Sequence, residues 1–221
     1  MPELQIATGY DPAWPPAGPA ARQARLPEQL RRLHQAILAF FLDNGGPPTR
    51  SWIQAQADSL ALDPGTACAD LAMADLVHVN EAGQVLAAYP FSGVPSGHSV
   101  QLAGRAPVWA MCAIDALGIP QMTGRDGAIT AADPETGDQV RVEVSGGGWR
   151  WSTLTTTVLM ARARECGRSA VCNCPHVNFF TGPDHAEAYL ARHRELHGQL
   201  LGQRAAIELA DAVFGALLRP G

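Results

Sequence analysis

Apolar residues recur at the spacing of an α-helix shortly after the start of the chain. They predict a first helix from about Pro27 to Asp43, which Asn44-Gly45-Gly46 ends. The same spacing predicts a second helix from about Ser51 to Leu60, and a third that begins at the capping residue Asp63 and runs to about Leu76. Residues 1–25 show no such period and are rich in proline, alanine and glycine, so they predict an extended arm.

Two short strands are predicted after these helices, one around His78 and one over Val85–Tyr89, with the turn Glu81-Ala82-Gly83 between them. Three helices followed by a hairpin form the layout of a winged helix, which we assign to residues 26–92. Winged helices bind DNA or serve as a scaffold or lid. The third predicted helix has no arginine and carries aspartates, whereas DNA recognition needs cations for the phosphates. We therefore expect a scaffold or lid that binds no nucleic acid.

The second half of the chain, residues 93–221, mixes strand-like and helix-like patterns. Strand-type residues predict strands at Ser99–Leu102, Ala128–Ala131, Val140–Val144 and Leu154–Met160. Helical patterns predict three helices, which run from near Val108 to just before Gly118, over about Pro183–Leu196 and over about Gln203–Leu218. The predicted fold class is therefore α+β, with an N-terminal winged-helix-like unit of three helices followed by a C-terminal mixed α/β domain.

Charge and composition narrow the possible partners and location. The chain of 221 residues has a formal net charge of −5 and contains no lysine, so it offers no general attraction for nucleic acid or an anionic membrane. No run of about 18 apolar residues predicts a membrane helix, and no basic segment leads into an apolar run near the start. We expect a cytoplasmic protein. Its five cysteines, an odd number, argue against a disulfide framework.

The pair Cys112 and Asp115 is the first candidate for chemistry. On a helix, residues three apart share a face, and a cysteine near a helix N-terminus is favoured as a thiolate. A carboxylate beside a thiolate is unfavourable unless one of them holds a proton, which is the arrangement that a proton-delivering site uses. The spacing alone favours a buried cysteine beside a capping or solvated aspartate over a proton-delivering pair.

A second cluster contains Cys166, Cys172, Cys174 and His176, a dense set of soft ligands. Structural zinc sites usually place roughly two to four residues between paired cysteines and take a second pair from elsewhere, and neither condition is met. A two-coordinate soft metal fits better if Cys112 supplies the second thiolate. We interpret His176 as a structural histidine with a satisfied ring, although it could also be a ligand.

Two segments carry a resemblance to a known family. Trp109–Leu117, followed by Pro120 and Gly124-Arg125, resembles the first catalytic segment of the organomercurial lyases, also called alkylmercury lyases. Cys174–Phe180 resembles their second. The similarity extends over roughly residues 27–218, and it is specific in the two segments and weak over the first third of the chain.

The resemblance implies a winged-helix-like part followed by an α/β catalytic domain over residues 93–221. It implies that Cys112, Cys174 and Asp115 are catalytic and also contact the substrate or product mercury. The reaction would be protonolysis of the carbon–mercury bond of R–Hg⁺ to give R–H and Hg(II), with no cofactor beyond external thiols. The implied partners are a small organomercurial and, as acceptor of Hg(II), low-molecular-weight thiols or a mercuric reductase.

Three residues depart from the family pattern. Met111 stands where an aromatic residue is common, which would reshape the substrate pocket. Asp133 stands where some members have a structural cysteine near a β-turn, and Cys172 adds a thiol without a family counterpart.

Two other functions share the same cysteines. A binding protein could capture mercury or another soft metal without cleavage, and a metal-responsive winged-helix regulator could bind DNA. Asp115 beside Cys112 favours the lyase, because a binding protein has no use for a proton donor. The acidic third helix argues against the regulator.

Overall fold

Four helices precede the larger sheet along the chain in the computed structural model, which describes residues 6–7, 18–163 and 173–218. They are α1 (Pro19–Gln23), α2 (Glu28–Asn44), α3 (Arg50–Ser59) and α4 (Pro64–Met73). The last three confirm the three predicted helices to within a few residues. The first differs from the predicted extended arm, because a proline in its first turn and the helix-favouring Ala-Ala-Arg-Gln that follows support a short helix.

The residues at the ends of α2 and α4 explain where these helices begin or end. Gly45 ends α2 in the left-handed conformation, with a φ of 75°. The Asp63 side chain accepts a hydrogen bond from the backbone N–H of Thr66 at 2.9 Å, which confirms the predicted cap of α4. This helix ends at Met73 rather than at Leu76, because Asp75 takes a φ of 51° that no right-handed helix allows.

An eight-stranded antiparallel sheet forms the larger layer. Its strands are β2 (Val77–Val79), β3 (Val85–Ala88), β4 (Phe91–Ser92), β5 (His98–Leu102), β6 (Val108–Ala110), β7 (Gly127–Ala132), β8 (Gln139–Ser145) and β9 (Gly148–Trp151). Their order in the sheet is β2-β3-β4-β6-β5-β7-β8-β9. The predicted hairpin and the predicted strands at β5, β7 and β8 are confirmed.

A four-stranded sheet forms the second layer, in the order β1-β12-β10-β11. It comprises β1 (Ile6–Ala7), β10 (Thr157–Ala163), β11 (Asn178–Phe180) and β12 (Leu196–Leu201). A 3₁₀ turn, Cys174–His176, directly precedes β11. Three further helices complete the described part of the chain: α5 (Ala113–Thr123), α6 (Pro183–Arg192) and α7 (Gln203–Phe214).

The helix predicted from Val108 to just before Gly118 is wrong at both ends. Val108–Ala110 is strand β6, and α5 begins at Ala113 and continues past Gly118. Gly118 serves close packing rather than termination. A Cβ atom there would lie 2.4 Å from Cδ2 of Phe214, so the missing side chain lets α5 approach α7.

Several strands were not predicted or were predicted with the wrong ends, because their partners are distant in sequence or their flanking residues resemble loops. Strand β9 follows Gly146 and Gly147, which adopt positive φ and close a tight hairpin. The strand predicted from Leu154 begins only at Thr157, since Leu154 is 97% exposed. The helix predicted to reach Leu196 ends at Arg192, and Leu196 instead opens β12.

One large apolar core joins the helices to both sheets. It contains buried residues from α2, α4 and α5 as well as from the strands and α7. The rings of Phe41 and Phe91 stack with centroids 5.3 Å apart and tie α2 to β4. The architecture is thus mixed α+β, as predicted. The boundary between residues 92 and 93 stays a prediction, and the eight-stranded sheet is continuous across it.

Across the part of the chain that the structure describes, no helix combines the length and the apolar character that a membrane span requires.

Candidate active site

Cys112 is the N-cap residue of α5. Strand β6 ends at Ala110, the backbone turns, and the Cys112 sulfur accepts a hydrogen bond from the backbone N–H of Asp115 at 3.5 Å. The side chain is buried, with 5% exposure. The predicted position of Cys112 at a helix N-terminus is therefore confirmed, with the helix beginning later than predicted.

Asp115 lies in the first turn of α5 and is 2% exposed. The thiol of Cys112 donates a hydrogen bond to its Oδ2 atom at 2.6 Å. A buried carboxyl group needs such a partner, because desolvation without a hydrogen bond costs several kcal/mol. The three-residue spacing thus brings the two side chains together, as the sequence predicted.

Cys174 approaches the same carboxyl group from the turn that leads into β11 of the four-stranded sheet. It opens the 3₁₀ turn before β11, where the backbone N–H of Ala113 donates to the Val177 carbonyl at 3.0 Å and holds this segment against the start of α5. The Cys174 thiol lies 3.8 Å from Oδ2 of Asp115. One ligand atom from each of Cys112, Asp115 and Cys174 lies within 4.8 Å of the others, so the predicted convergence is confirmed.

Burial controls the protonation of the cluster. It raises the pKa of Asp115 to about 7, although hydrogen bonds from Cys112 and Cys174 and the charge of Arg22 act in the opposite direction. Burial also raises the pKa of Cys112 well above its ordinary value, and Cys174 and Asp115 raise it further. The raised pKa of Cys112 is opposite to our expectation that the helix N-terminus would favour its thiolate.

Cys174 has a related balance. The hydrogen bond from Cys112 lowers its pKa, but burial and the neighbouring Asp115 outweigh this and leave the pKa above its ordinary value. At neutral pH the site thus holds thiol protons beside a carboxyl group that exchanges readily between its two forms.

A pocket of about 120 Å³ opens onto the three residues. Its remaining wall is largely apolar and includes Ile114, Met160, Val177, Leu209, Val213 and Phe214. Arg22 in α1 and Arg162 in β10 also line it. Neither Met111 nor Phe179 does, so the departure at Met111 does not act on this pocket by direct contact. Ile114 and Val177 lie in the two segments that resemble the family. The other wall residues were not predicted because no motif marks them, and Arg22 lies in a segment that composition predicted to be an arm.

Other candidate residues lie apart from this cluster. Nδ1 of His176 is hydrogen-bonded to the Tyr189 hydroxyl at 3.0 Å, which fits the structural interpretation of this histidine. Cys68 is buried in α4 within the apolar core, where burial raises its pKa. Cys166 and Cys172 lie outside the described residues.

Asp133, which stands where some members of the family have a structural cysteine, has a structural role of its own. It is 1% exposed, and its Oδ2 atom accepts hydrogen bonds from the backbone N–H and the hydroxyl of Thr181 at 2.8 and 2.9 Å. Nδ1 of His185 lies 2.9 Å from the same atom. These bonds tie the β7–β8 turn to the end of β11, the strand that follows Cys174.

The comparisons with known proteins agree with this geometry. The family profile described as "MerB: Alkylmercury lyase" matches residues 91–215, more than half of the chain, and this range includes all three residues of the cluster. The chain belongs to the alkylmercury lyase family. Its mixed α+β fold also resembles that in the "Crystal structure of the mercury-bound form of MerB2", with a TM-score of 0.72 at 20% identity, covering 90% of this chain and 96% of that one.

Curated relatives show the extent of the sequence similarity. A protein named alkylmercury lyase from Staphylococcus epidermidis is 31% identical over 122 residues, which are 54% of this chain and 55% of that protein. One of the same name from Bacillus cereus is 29% identical over 136 residues, 60% of either chain. The matched region therefore spans little more than half the length of these alkylmercury lyases.

Proposed function

We propose that this chain is an alkylmercury lyase that breaks the carbon–mercury bond of R–Hg⁺ by protonolysis and releases R–H. The observation that carries the proposal is the meeting of two buried thiols and one buried carboxyl group within 4.8 Å. Mercury(II) is soft and prefers thiolate ligands, and the broken bond needs a proton at carbon. The cluster supplies both requirements at one place.

The first step is capture of the substrate by one thiol. Cys112 is suited to this step because its thiol already donates to Oδ2 of Asp115 at 2.6 Å. As the sulfur–mercury bond forms, the thiol proton moves to the Asp115 carboxylate. The pKa of about 7 that burial produces in Asp115 allows it to take this proton at neutral pH and to give it up again.

The second step is cleavage. Cys174 then binds the mercury as a second thiolate ligand. Two thiolates increase the electron density on the metal and weaken its bond to carbon. The carbon takes the proton held by Asp115 and leaves as R–H, and the proton displaced from the Cys174 thiol remains on Asp115. Mercury(II) stays bridged between Cys112 and Cys174 until external thiols remove it.

The apolar pocket wall supports this chemistry. It accommodates the organic group and excludes water, which strengthens electrostatic interactions around the transferred proton. Mercury enters as substrate and leaves as product, so we propose that no further cofactor takes part. Low-molecular-weight thiols or a mercuric reductase would accept the product.

The N-terminal helices fit a supporting role. We propose that α2–α4 with the β2–β3 hairpin form a winged-helix-like scaffold that binds no nucleic acid, because α4 has no basic residue for DNA phosphates and carries Asp70. Active-site cover comes from α1 and from Tyr89 just after β3, which both contribute to the pocket wall. We further propose a cytoplasmic location, where reduced thiols are abundant.

Hydrocarbon release from an organomercurial tests the proposal. The purified chain would be incubated with a methylmercury–thiol complex and excess thiol in D₂O. Protonolysis predicts methane carrying one solvent-derived deuterium, formed in proportion to the organomercurial consumed. Tight mercury binding without methane would instead identify a metal-binding protein and overturn the proposal.

A further inference from the structure

Cys112 and Cys174 form a contacting pair of thiols. Their side chains hydrogen-bond to each other, and together with Asp115 they place three ligand atoms within 4.8 Å of one another. Both cysteines are buried, and the pocket described above opens onto them. A ligand that needs two sulfur atoms at one centre therefore meets both of them with little rearrangement of the chain.

Trivalent arsenic is a centre of this kind. Like mercury(II), it is soft and prefers sulfur ligands. A monoorganyl arsonous acid, R–As(OH)₂, has one carbon substituent and two exchangeable hydroxyl groups, so it reacts with two thiols and keeps its organic group. Three-coordinate arsenic is pyramidal and holds two sulfurs closer together than a linear mercury atom does. Two thiols that are already in contact suit this geometry.

The protonation state of the pair suits such a ligand. Burial raises the pKa of Cys112 well above its ordinary value, and the pKa of Cys174 is also raised despite the hydrogen bond from Cys112. An arsonous acid is uncharged at neutral pH and reacts with thiols by releasing water. Its entry therefore avoids the large cost of transferring a charged group into a buried space.

Asp115 is placed to move the protons of this exchange. Its Oδ2 atom accepts a hydrogen bond from the Cys112 thiol at 2.6 Å and lies 3.8 Å from the Cys174 sulfur. The same oxygen can take the proton of each thiol as its sulfur attacks arsenic. It then delivers that proton to the departing hydroxide, which leaves as water.

The pocket wall suits the organic group on arsenic. The wall is largely apolar and includes Met160, Val213 and Phe214. Once two sulfurs are bound, the organic group is the remaining substituent for this apolar space. A hydroxyl group there would be buried without a hydrogen-bond partner from these side chains, which costs free energy. The wall therefore favours monoorganoarsenicals over inorganic arsenous acid.

We propose that Cys112 and Cys174 form a dithiol site for trivalent monoorganoarsenicals and bind them through two arsenic–sulfur bonds. Two S–H and two As–OH bonds break, two As–S bonds form, and two water molecules leave. Arsenic stays trivalent, and nothing is oxidised or reduced. The inference rests on the geometry of the cluster and does not require carbon–mercury cleavage.

The bound arsenical keeps its carbon–arsenic bond. In the lyase reaction proposed above, one of the two thiol protons goes to carbon. Here both thiol protons leave with the two hydroxyl groups, so none remains on Asp115 for the carbon. The arsenical therefore occupies the site without turnover and competes with an organomercurial.

Intact-mass spectrometry with an excess of 2-mercaptoethanol tests the two-bond attachment. Methylarsonous acid should add one CH₃As group per chain with the loss of two hydrogens. Dimethylarsinous acid, which has a single hydroxyl group, can bind only one thiol and is the matched control ligand. We expect methylarsonous acid to bind about 10²–10⁴-fold more tightly than dimethylarsinous acid, because its second bond forms within the same complex.

Variants identify the two thiols. Cys112→Ala and Cys174→Ala should each weaken binding of methylarsonous acid by about 10²–10⁴-fold, to the level of a single thiol. Cys68→Ala should bind as the unaltered chain does, since Cys68 lies outside the cluster. The double variant Cys166→Ala/Cys172→Ala should also keep the affinity. Asp115→Asn should slow binding but still reach one arsenical per chain.

Two results would overturn the dithiol site. One is equal affinity for the methyl and dimethyl arsenicals. The other is binding that survives in Cys112→Ala but is lost in the Cys166→Ala/Cys172→Ala variant, which would assign the arsenical to other thiols.

Methane release separates this inference from the proposed lyase. One equivalent of methylarsonous acid should stop methane release from methylmercury, and undiminished release with the arsenical bound would contradict a shared site. An untreated chain that binds the arsenical at both cysteines but releases no methane would reject the lyase and support the dithiol site.

Discussion

At the residue scale, the central feature is a carboxyl group whose pKa matches its proposed task. A general acid–base group works best when its pKa lies near the operating pH, and burial brings the pKa of Asp115 to about 7. The two thiols beside it are protonated in the resting site, since burial raises the pKa of Cys112 well above its ordinary value. Asp115 therefore has to accept a proton before it can deliver one.

Replacement of Asp115 tests this role. Asp115→Asn keeps the size of the side chain but removes its ability to exchange a proton. We expect carbon–mercury cleavage to slow by about 10²–10⁴-fold while mercury binding by the thiols is largely retained. Single-turnover methane release and a mercury-binding titration measure the two effects, and Asp184→Asn, at an exposed carboxylate, is the control. Cleavage at the wild-type rate would assign the proton to another group.

The pH dependence follows from the same residue. Capture of the substrate requires the carboxylate form of Asp115, which becomes dominant as the pH rises through about 7. We therefore expect kcat/KM to rise through an inflection near pH 7. In Asp115→Asn this inflection should disappear. If kcat/KM of the unaltered chain stays constant between about pH 6 and 8, Asp115 is not the group that accepts the proton during capture.

At the element scale, the parts of the fold that could be predicted are those with local signals. Helices α2–α4 have apolar periodicity and clear ends, and the spacing of Cys112 and Asp115 follows from one helix turn. Strands β4, β6 and β11 are only two or three residues long, which is too short to show an alternating pattern, and β11 pairs with β10 in a register that joins Thr157 to Phe180. The meeting of Cys174 with Asp115 depends on such packing, so the family resemblance indicated it and periodicity could not.

The contact between α5 and α7 shows how packing overrides a local signal. Gly118 resembles a helix end in the sequence, but in the structure it makes room for Phe214. We expect Gly118→Ala to destabilise the fold by about 1–3 kcal/mol, because the added methyl group overpacks this contact. Thermal unfolding measures the change. Part of the loss should return in Gly118→Ala combined with Phe214→Leu, and a stable single variant would contradict the packing argument.

Asp133 anchors the strand that follows Cys174. Asp133→Ala would remove a buried acceptor and leave the Thr181 donors unpaired, so we expect a loss of about 2–4 kcal/mol in the free energy of unfolding. Denaturant titration measures this loss. Asp138→Ala is the matched control in the same turn, since Asp138 is exposed and bonded to Thr136. Equal effects of the two substitutions would contradict the anchoring role.

The partner histidine gives this anchor a pH dependence. The hydrogen bond to Asp133 raises the pKa of His185 in the folded protein. The stability that this bond contributes is therefore full below pH 6.5, the ordinary pKa of histidine in the unfolded chain. It is lost as the pH rises through the raised pKa of the folded protein. His185→Ala should therefore lower the Tm more at pH 6 than at pH 9. A loss of Tm in His185→Ala that is larger at pH 9 than at pH 6 would contradict the stabilising role of the His185–Asp133 hydrogen bond.

At the scale of the whole molecule, the pocket lies where separate parts of the chain meet. Its wall combines α1, the start of α5, strand β10 and α7, and the apolar core behind it is shared by the helices and both sheets. The N-terminal helices therefore contribute to the same folded body that places the cysteines. This arrangement explains how residues remote in sequence can hold one mercury atom in a buried, mostly apolar space.

The most direct test of the account counts hydrocarbon molecules in a single turnover. Protein in excess over methylmercury, without external thiol, should release one methane per methylmercury and keep the mercury bound. Cys112→Ala and Cys174→Ala should each release almost none, whereas Cys68→Ala, at a buried cysteine outside the cluster, should match the unaltered chain. Undiminished methane from either of the first two variants would contradict cleavage between Cys112 and Cys174.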